Sequence, residues 1–261
     1  MSHAVIVVGA MGRMGERVRA AVAEESSLQL HAALEAPGHP AIGSEISGGV
    51  ALTDDPKTAF GGCAVAIDFT TPTASLAAMR AAADAGAAYV CGTTGFSDDE
   101  RAEVAALATR IPIVHAPNFS LSVNILVWLS REAARRLGPG YDAELVEIHH
   151  SAKRDAPSGT ALHLAEAVAT GQNRNISDHL IVERAGEIGA RPDGAIGIQT
   201  LRGGDVVGEH TVMFIGQGER LELIHRASTR DHFARGAVRT AGWLVGRSAG
   251  LYAIEEVFGL D

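Results

Sequence analysis

Cysteine is scarce in this chain: 261 residues contain two, Cys63 and Cys91, with no paired spacing. That excludes a disulfide framework and a zinc knuckle, and reduced, partly buried thiols are expected instead. Basic charge is short as well. Lysine and arginine number 22 against 31 acids, a net charge of −9, so the cationic face that nucleic-acid binding needs is missing. No apolar run approaches the ~20 residues of a membrane span. No basic stretch precedes a long apolar one at the N-terminus, so no signal peptide is read there. Internal repeats and low-complexity tracts are absent too. What is present is an ordinary globular composition, 46% hydrophobic and 20% charged. The chain is expected to be cytoplasmic and is long enough for one large or two modest domains.

The first half alternates β-branched apolar runs with helical spacing. Residues 4–8, 28–34, 65–69, 88–91 and 111–115 read as strands, and 14–24, 72–85 and 98–109 as helices. Residues 36–50, with their glycines and prolines, are expected to form a long polar loop. This alternation implies a Rossmann-like, doubly wound parallel sheet. From about residue 120 the pattern changes. A helix over 121–137, a strand over 143–150, a helix over 160–170 and a loose loop 171–195 precede strand-like runs 195–201, 206–215 and 220–227. Glycine-rich turns separate these last runs, so a second α+β domain with a mixed, mostly antiparallel open sheet is expected. A helix over 234–250 packs most simply back on the first domain. The expected division is 1–119 with 230–261, a dinucleotide-binding domain, and 120–229, a second domain.

Small polar loops close the strands of the first half, at 9–15, 68–71, 92–95 and 116–119. Open α/β sheets bind ligands at that edge. Gly9-Ala10-Met11-Gly12-Arg13-Met14-Gly15 follows a strand and opens a helix. Glycine lets such a turn approach a pyrophosphate, and the helix N-terminus supplies amides and partial positive charge. The spacing differs by one residue from G-x-G-x-x-G. Glu35, twenty residues beyond Gly15, stands where an acid binds a ribose 2′-hydroxyl. Ala36 follows it, so no adjoining cation is there for a 2′-phosphate. A carboxylate ~5 Å from each added phosphate charge would cost about 3 kcal/mol per unit charge at an effective dielectric near 20. NADH or NADPH is the expected cofactor, with NADH used at least as well; Arg13 is the one residue able to rescue NADPH.

The densest chemistry lies in Glu147-Ile148-His149-His150-Ser151-Ala152-Lys153-Arg154-Asp155-Ala156-Pro157-Ser158-Gly159-Thr160-Ala161. On a strand, Glu147 and His149 share a face, and His150 takes the other unless the strand ends there. Lys153 lies in the following loop, from which it can curl back toward His149. Ser158 is an N-cap candidate, and Gly159 and Thr160 begin a helix whose amides can bind a carboxylate. Arg154 reads as solvated and Asp155 as a loop brace. Imidazoles and cations beside a helix start form a receptor for an anionic substrate whose protonation changes. On these residues alone, a dehydrogenase of aspartate or homoserine type and a dinucleotide-sensing binding protein stay open.

Glu144-x-x-Glu147-x-His149-x-x-x-Lys153-x-Asp155-x-Pro157-Ser158-Gly159-Thr160-Ala161 closely resembles the signature of the 4-hydroxy-tetrahydrodipicolinate reductase family, also called dihydrodipicolinate reductase. Residues 9–15 resemble its opening loop. Gly92-Thr93-Thr94-Gly95 and Ala116-Pro117-Asn118-Phe119 resemble its nicotinamide-side loops, and 204–211 and 230–239 resemble further segments. The resemblance spans nearly the whole chain. It implies an oxidoreductase of the diaminopimelate route to lysine. Hydride from NAD(P)H would reduce 4-hydroxy-tetrahydrodipicolinate, a small cyclic dicarboxylate, to tetrahydrodipicolinate. Carried over by position, His149 is the proton donor or acceptor and Lys153 a second donor. His150, Lys153, Gly159 and Thr160 would hold the substrate carboxylates. The nucleotide would meet Gly9, Ala10, Met11, Gly12, Arg13, Met14, Glu35, Gly92, Thr93, Thr94, Ala116, Pro117, Asn118 and Phe119. No metal is implied. The resemblance also implies a homotetramer joined through the C-terminal sheets, with domains that close on substrate. Met11 stands where a glycine is common, and Ala36 where some members carry a base.

Overall fold

The computed structural model describes residues 2–260, which fall into two compact units: those up to Ser120 together with those from Asp231 onward, and Leu121–Arg230. In the first unit, β1 (His3–Val8), β2 (Leu28–Leu34), β3 (Glu45–Ser47), β4 (Val50–Thr53), β5 (Val65–Asp68), β6 (Ala88–Cys91) and β7 (Pro112–His115) build one sheet. A late strand, β13 (Gly250–Tyr252), completes it in the order β13-β7-β6-β5-β1-β2-β4-β3. Every pairing is parallel except β3 with β4. Strand order reverses between β5 and β1, the switch point at which such sheets bind ligands.

Val5, Ile6 and Val7 are almost completely buried because helices cover both faces, which is why β1 reads as a continuous apolar run. On one side lie α1 (Arg13–Glu24) and α8 (Asp231–Leu244). On the other, α2 (Pro56–Phe60), α3 (Pro72–Ala85) and α4 (Asp98–Ala108) close over Ile6, Ala66, Tyr89, Cys91 and Ile113.

The second unit stacks α5 (Leu121–Leu137) and α6 (Gly159–Gly171) on one face of a mixed sheet. Its strands are β8 (Asp142–His149), β9 (Leu180–Ile181), β10 (Ile196–Arg202), β11 (Gly208–Ile215) and β12 (Arg220–Ala227), in the order β12-β11-β8-β10-β9. The glycine-turn hairpin gives an antiparallel pair of β11 with β12, and β11 also pairs antiparallel with β8, whereas β8 to β10 crosses through helix and is parallel. Along β8 the residues alternate. Ala143, Leu145, Glu147 and His149 face the helices, and their neighbours face outward. Among the described residues, no helix is long and apolar enough to cross a membrane.

Three stretches differ from the sequence expectation. The loop expected over 36–50 contains β3 and leads into β4, joined by Gly48 and Gly49 at φ 59° and 83°. Glycine-glycine is the turn signal for such a hairpin, but strands this short carry no periodicity. The segment 171–195 holds a short α7 (Ile176–His179) and β9. The helix expected over 234–250 begins earlier, at Asp231, and stops at Leu244; Gly246 at φ 79° turns the chain, β13 joins the sheet edge, and α9 (Ile254–Phe258) follows.

The glycine turn after β1 is set by close approach. A Cβ on Gly15 would lie 2.1 Å from the Gly9 carbonyl oxygen, so α1 seats directly on the turn only because the side chain is missing. Gly242, on the exposed side of α8, has nothing within 4 Å of a built Cβ. Gly15→Ala is expected to lower the unfolding free energy by about 1–3 kcal/mol through backbone overpacking. Gly242→Ala is expected to raise it by roughly 0.5–1 kcal/mol through helix propensity. Denaturant melts check both, and equal shifts of one sign would contradict the packing argument.

Candidate active site

At the C-terminal edge of the first sheet, hydrogen bonds and ring contacts link the four polar loops. The Gly92 N–H donates to the Asp68 carbonyl (2.8 Å), and the Ala116 N–H to that of Cys91 (3.1 Å). The Thr70 N–H donates to Asp68 Oδ1 (2.8 Å) and Thr93 Oγ1 (2.9 Å). Gly9, at φ 67°, faces Thr70 so closely that a Cβ would sit 2.5 Å from its methyl. Phe69 lies against Gly92 and meets Phe119 edge-on at 5.7 Å between ring centroids.

The residues fit a dinucleotide. Gly12 caps α1 without any side-chain bond, leaving Arg13, Met14 and Gly15 to open a first turn whose amides point outward. Glu35, at the end of β2, accepts the Met11 N–H at Oε2 (3.0 Å) and the Ala36 N–H at Oε1 (2.9 Å). The Met11 amide is therefore committed to Glu35, which pins that carboxylate to the glycine turn. Arg13 is exposed. Thr93 is buried, Thr94 and Pro117 are exposed, and Ala10 and Ala116 are buried. Asn118 accepts the Ser120 N–H through its side chain (2.8 Å) and so holds its own loop.

The second unit gathers a different chemistry. Cross-strand register aligns Thr200, Glu147, His210 and His225 in one row on the helix-facing side of the sheet, with His149 beside Arg202. Ala143 and Leu145 continue the same face as hydrophobic core, so Glu147 and His149 stand where that core gives way to the start of α6. Ser158 caps α6 by accepting the Ala161 N–H (3.2 Å), as the Pro-Ser-Gly-Thr spacing predicts. Nothing lies within 4 Å of a Cβ built on Gly159, which leaves room against the first amides of the helix.

Glu147 is fully buried and bonds His149 Nδ1 at 2.5 Å, the Ser158 N–H at 3.0 Å and the guanidinium of Arg202 at 2.8 and 2.9 Å. Burial would raise its pKa, but Arg202, His149 and the Ser158 amide outweigh that and hold the carboxyl below its ordinary range. Burial lowers the His149 imidazole, Glu147 pulls the other way, and the cations Lys153 and Arg202 leave the balance below the ordinary value. His210 meets His149 edge-on at 5.2 Å and contacts Ser158 Oγ through Nε2 at 3.2 Å. Its burial drives the imidazole down to about 3, so it is neutral.

The strand ends at His149, which releases His150 from the alternation. His150 Nε2 accepts from Arg230 at 3.3 Å. Lys153 does not bond His149; its ammonium spans both oxygens of Asp155 at 2.9 and 2.8 Å, so Asp155 braces a cation as well as backbone. Thr160 follows Gly159 in the first turn of α6 and is half-buried. Arg202, His210 and Thr200 were not legible as site residues. Each lies over 50 residues from the partner it bonds, Glu147 for Arg202 and Thr200 and Ser158 for His210, and only strand register brings them in.

A glycine turn at the switch point of a parallel sheet, with a buried acid–imidazole pair in a separate α+β unit, defines a nicotinamide-dependent oxidoreductase of two-domain α/β type. The comparisons agree. Residues 3–119 match the family model for the N-terminus of dihydrodipicolinate reductase, and 122–258 match that for its C-terminus. The 4-hydroxy-tetrahydrodipicolinate reductase of Anaeromyxobacter sp. (strain Fw109-5) is 51% identical over 261 residues, 98% of this chain and 97% of its own. That of Geobacter metallireducens is 48% identical, covering 98% of each. A dipicolinate-bound dihydrodipicolinate reductase from Paenisporosarcina sp. TG-14 shares the fold, with TM-score 0.80 at 24% identity over 98% of this chain and 99% of that one. This chain belongs to the dihydrodipicolinate reductase family, whose members are NAD(P)H-dependent reductases.

Proposed function

We propose that this chain reduces 4-hydroxy-tetrahydrodipicolinate to tetrahydrodipicolinate in the diaminopimelate route to lysine, in the cytoplasm. The first unit binds the nucleotide, and the second binds the substrate. One observation carries the reading of the second unit: a buried carboxylate–imidazole pair opening onto a helix start with a lysine-bearing loop beside it. Overall the substrate loses the elements of water and gains a hydride and a proton. When bound, the nicotinamide supplies the hydride.

The chain's own residues do the rest. Gly9, Ala10, Met11, Gly12, Arg13 and Met14 cradle the pyrophosphate, and Glu35 accepts from the ribose hydroxyls. Gly92, Thr93 and Thr94, with Ala116, Pro117, Asn118 and Phe119, flank the nicotinamide. In the second unit, Gly159 and Thr160 at the start of α6, with His150 and Lys153, hold the two substrate carboxylates. Lys153 changes partner from Asp155 to the substrate as it does so. Hydride addition at one carbon of a conjugated system leaves negative charge on its neighbour. His149 delivers the proton there, and Lys153⁺ lowers the cost of the developing anion.

Four copies assemble through the open face of the second sheet. Leu201 and Ile224 lie on that face at 46% exposure each, and Ile215 at 38%. An apolar patch of this kind on a sheet marks an association surface.

His149→Ala is expected to reduce turnover about 10²–10⁴-fold with little change in substrate KM. Wild-type turnover in that variant, followed by NADH consumption on freshly generated substrate, would overturn the assignment. The imidazole donates only when protonated and its pKa lies below the ordinary value. Wild-type kcat/KM is therefore highest below that pKa and declines as pH rises through it. Steady-state kinetics with both nucleotides are expected to show NADH used at least as well as NADPH; a hundredfold preference for NADPH would contradict the role given to Glu35. Light scattering is expected to return four times the chain mass, falling when Ile224 is changed to Asp. A monomer in the unchanged protein would refute the assembly.

A further inference from the structure

The two oxygens of Glu147 accept five hydrogen bonds: from His149 Nδ1, the Ser158 N–H, Thr200 Oγ1 and both Nη atoms of Arg202. Arg202 approaches as a two-pronged donor at 2.8 and 2.9 Å, the geometry that fixes a carboxylate in plane as well as in place. The second prong also bonds the Asp155 carbonyl at 2.6 Å, and the first that of Leu201 at 2.7 Å, so the guanidinium is itself anchored. An ionised carboxylate only accepts, which requires the proton of neutral His149 to sit on Nδ1. Among the described residues, no protein group bonds Nε2. Gly208 stands beside that nitrogen, and a Cβ there would come within 2.9 Å of it.

We propose that Arg202 and Glu147 are a positioning pair for His149. The guanidinium fixes the carboxylate, the carboxylate fixes Nδ1–H, and Nε2 is left to exchange a proton with the substrate. This rests on the reading of His149 as the proton-transfer residue. Neither partner touches the reacting atoms.

The pair has a second effect, on charge. A bare buried carboxylate at 2.5 Å would keep the imidazole protonated far above neutrality. Burial lowers the imidazole most, and the cations Lys153 and Arg202 also oppose Glu147, so the ring is oriented by an acid without being locked as its cation. Other titratable groups also face the ring. His210 on β11 is neutral, with His225 on β12 beyond it at 6.4 Å between centroids. Lys153 and Asp155 on the following loop are paired with each other, and His150 bonds Arg230.

The experiment is nitrogen-15 histidine NMR on the full chain, the His149 signals being identified by their loss in His149→Gln. The wild-type protein is expected to show protonated Nδ1 and unprotonated Nε2 in the neutral ring. Glu147→Gln is expected to lower the His149 pKa and Arg202→Met to raise it. Turnover should fall in Glu147→Gln with substrate KM changed less than kcat, and Arg202→Lys should recover part of what Arg202→Met loses. Protonated Nε2 in the neutral wild-type ring overturns the proposal, as do shifts of the same sign in both variants. Turnover of His149→Gln separates the two failures. Wild-type turnover there overturns the proton-transfer reading and this proposal with it, whereas lost turnover with the wrong tautomer overturns this proposal alone.

Discussion

The meeting of Arg202 with Glu147 is the interaction on which the chemistry proposed for the second unit rests. A carboxylate with no exposed surface costs several kcal/mol to bury unless charge and donors meet it there. Arg202 comes from β10, Thr200 from the same strand two residues earlier, His149 from β8 and the Ser158 amide from the cap of α6. One side chain thus ties two strands to a helix start. Its location follows from alternation: Ala143 and Leu145 put β8's inward face in the core, and Glu147 and His149 continue that face to where the core ends. The same packing that stabilises the sheet therefore aims the imidazole.

The first unit solves an equivalent problem with neutral donors. Asp68 is also fully buried, but no cation among the described residues bonds it; the Thr70 N–H, the Ser75 hydroxyl and the Tyr89 hydroxyl (2.8 Å) satisfy it instead. Burial pushes its carboxyl above the ordinary range, against those hydrogen bonds. Ser75 Oγ also reaches Thr93 Oγ1 at 2.7 Å, and the Thr70 N–H bonds the same hydroxyl, so α3 and the loop after β5 are both tied to the loop after β6. A nucleotide site needs such rigidity more than it needs charge, because its selectivity comes from backbone amides and the shape of a glycine turn. The two buried acids thus do different work: one braces loops, and the other sits beside a titrating ring.

Much of this was legible in the sequence, and the limits are physical. β1, β5, β6 and β7 announce themselves because strands buried on both faces must be apolar throughout. The hairpin of β3 and β4 did not, since Glu45–Ser47 at a sheet edge has mixed polarity and too few residues for a period. Gly48-Gly49 was the signal that could have found it. Glu147 and His149 were readable as sharing a face. Their partners were not, since Arg202 lies 55 residues further on and only the register of β8 with β10 places it opposite. Lys153 could be expected to turn toward His149, yet Asp155 lies two residues away on the same turn and satisfies the ammonium first.

In the proposed reaction the hydrogens that the substrate gains come from two sources, nucleotide and protein. The direct test is to run the reaction in ordinary water with NADH deuterated at the transferring position, and to locate the label in the product. One deuterium at the reduced carbon and a solvent-derived hydrogen at its neighbour is the result expected of hydride transfer with side-chain proton delivery. Nucleotide left unconsumed, or a product carrying no deuterium, would contradict it.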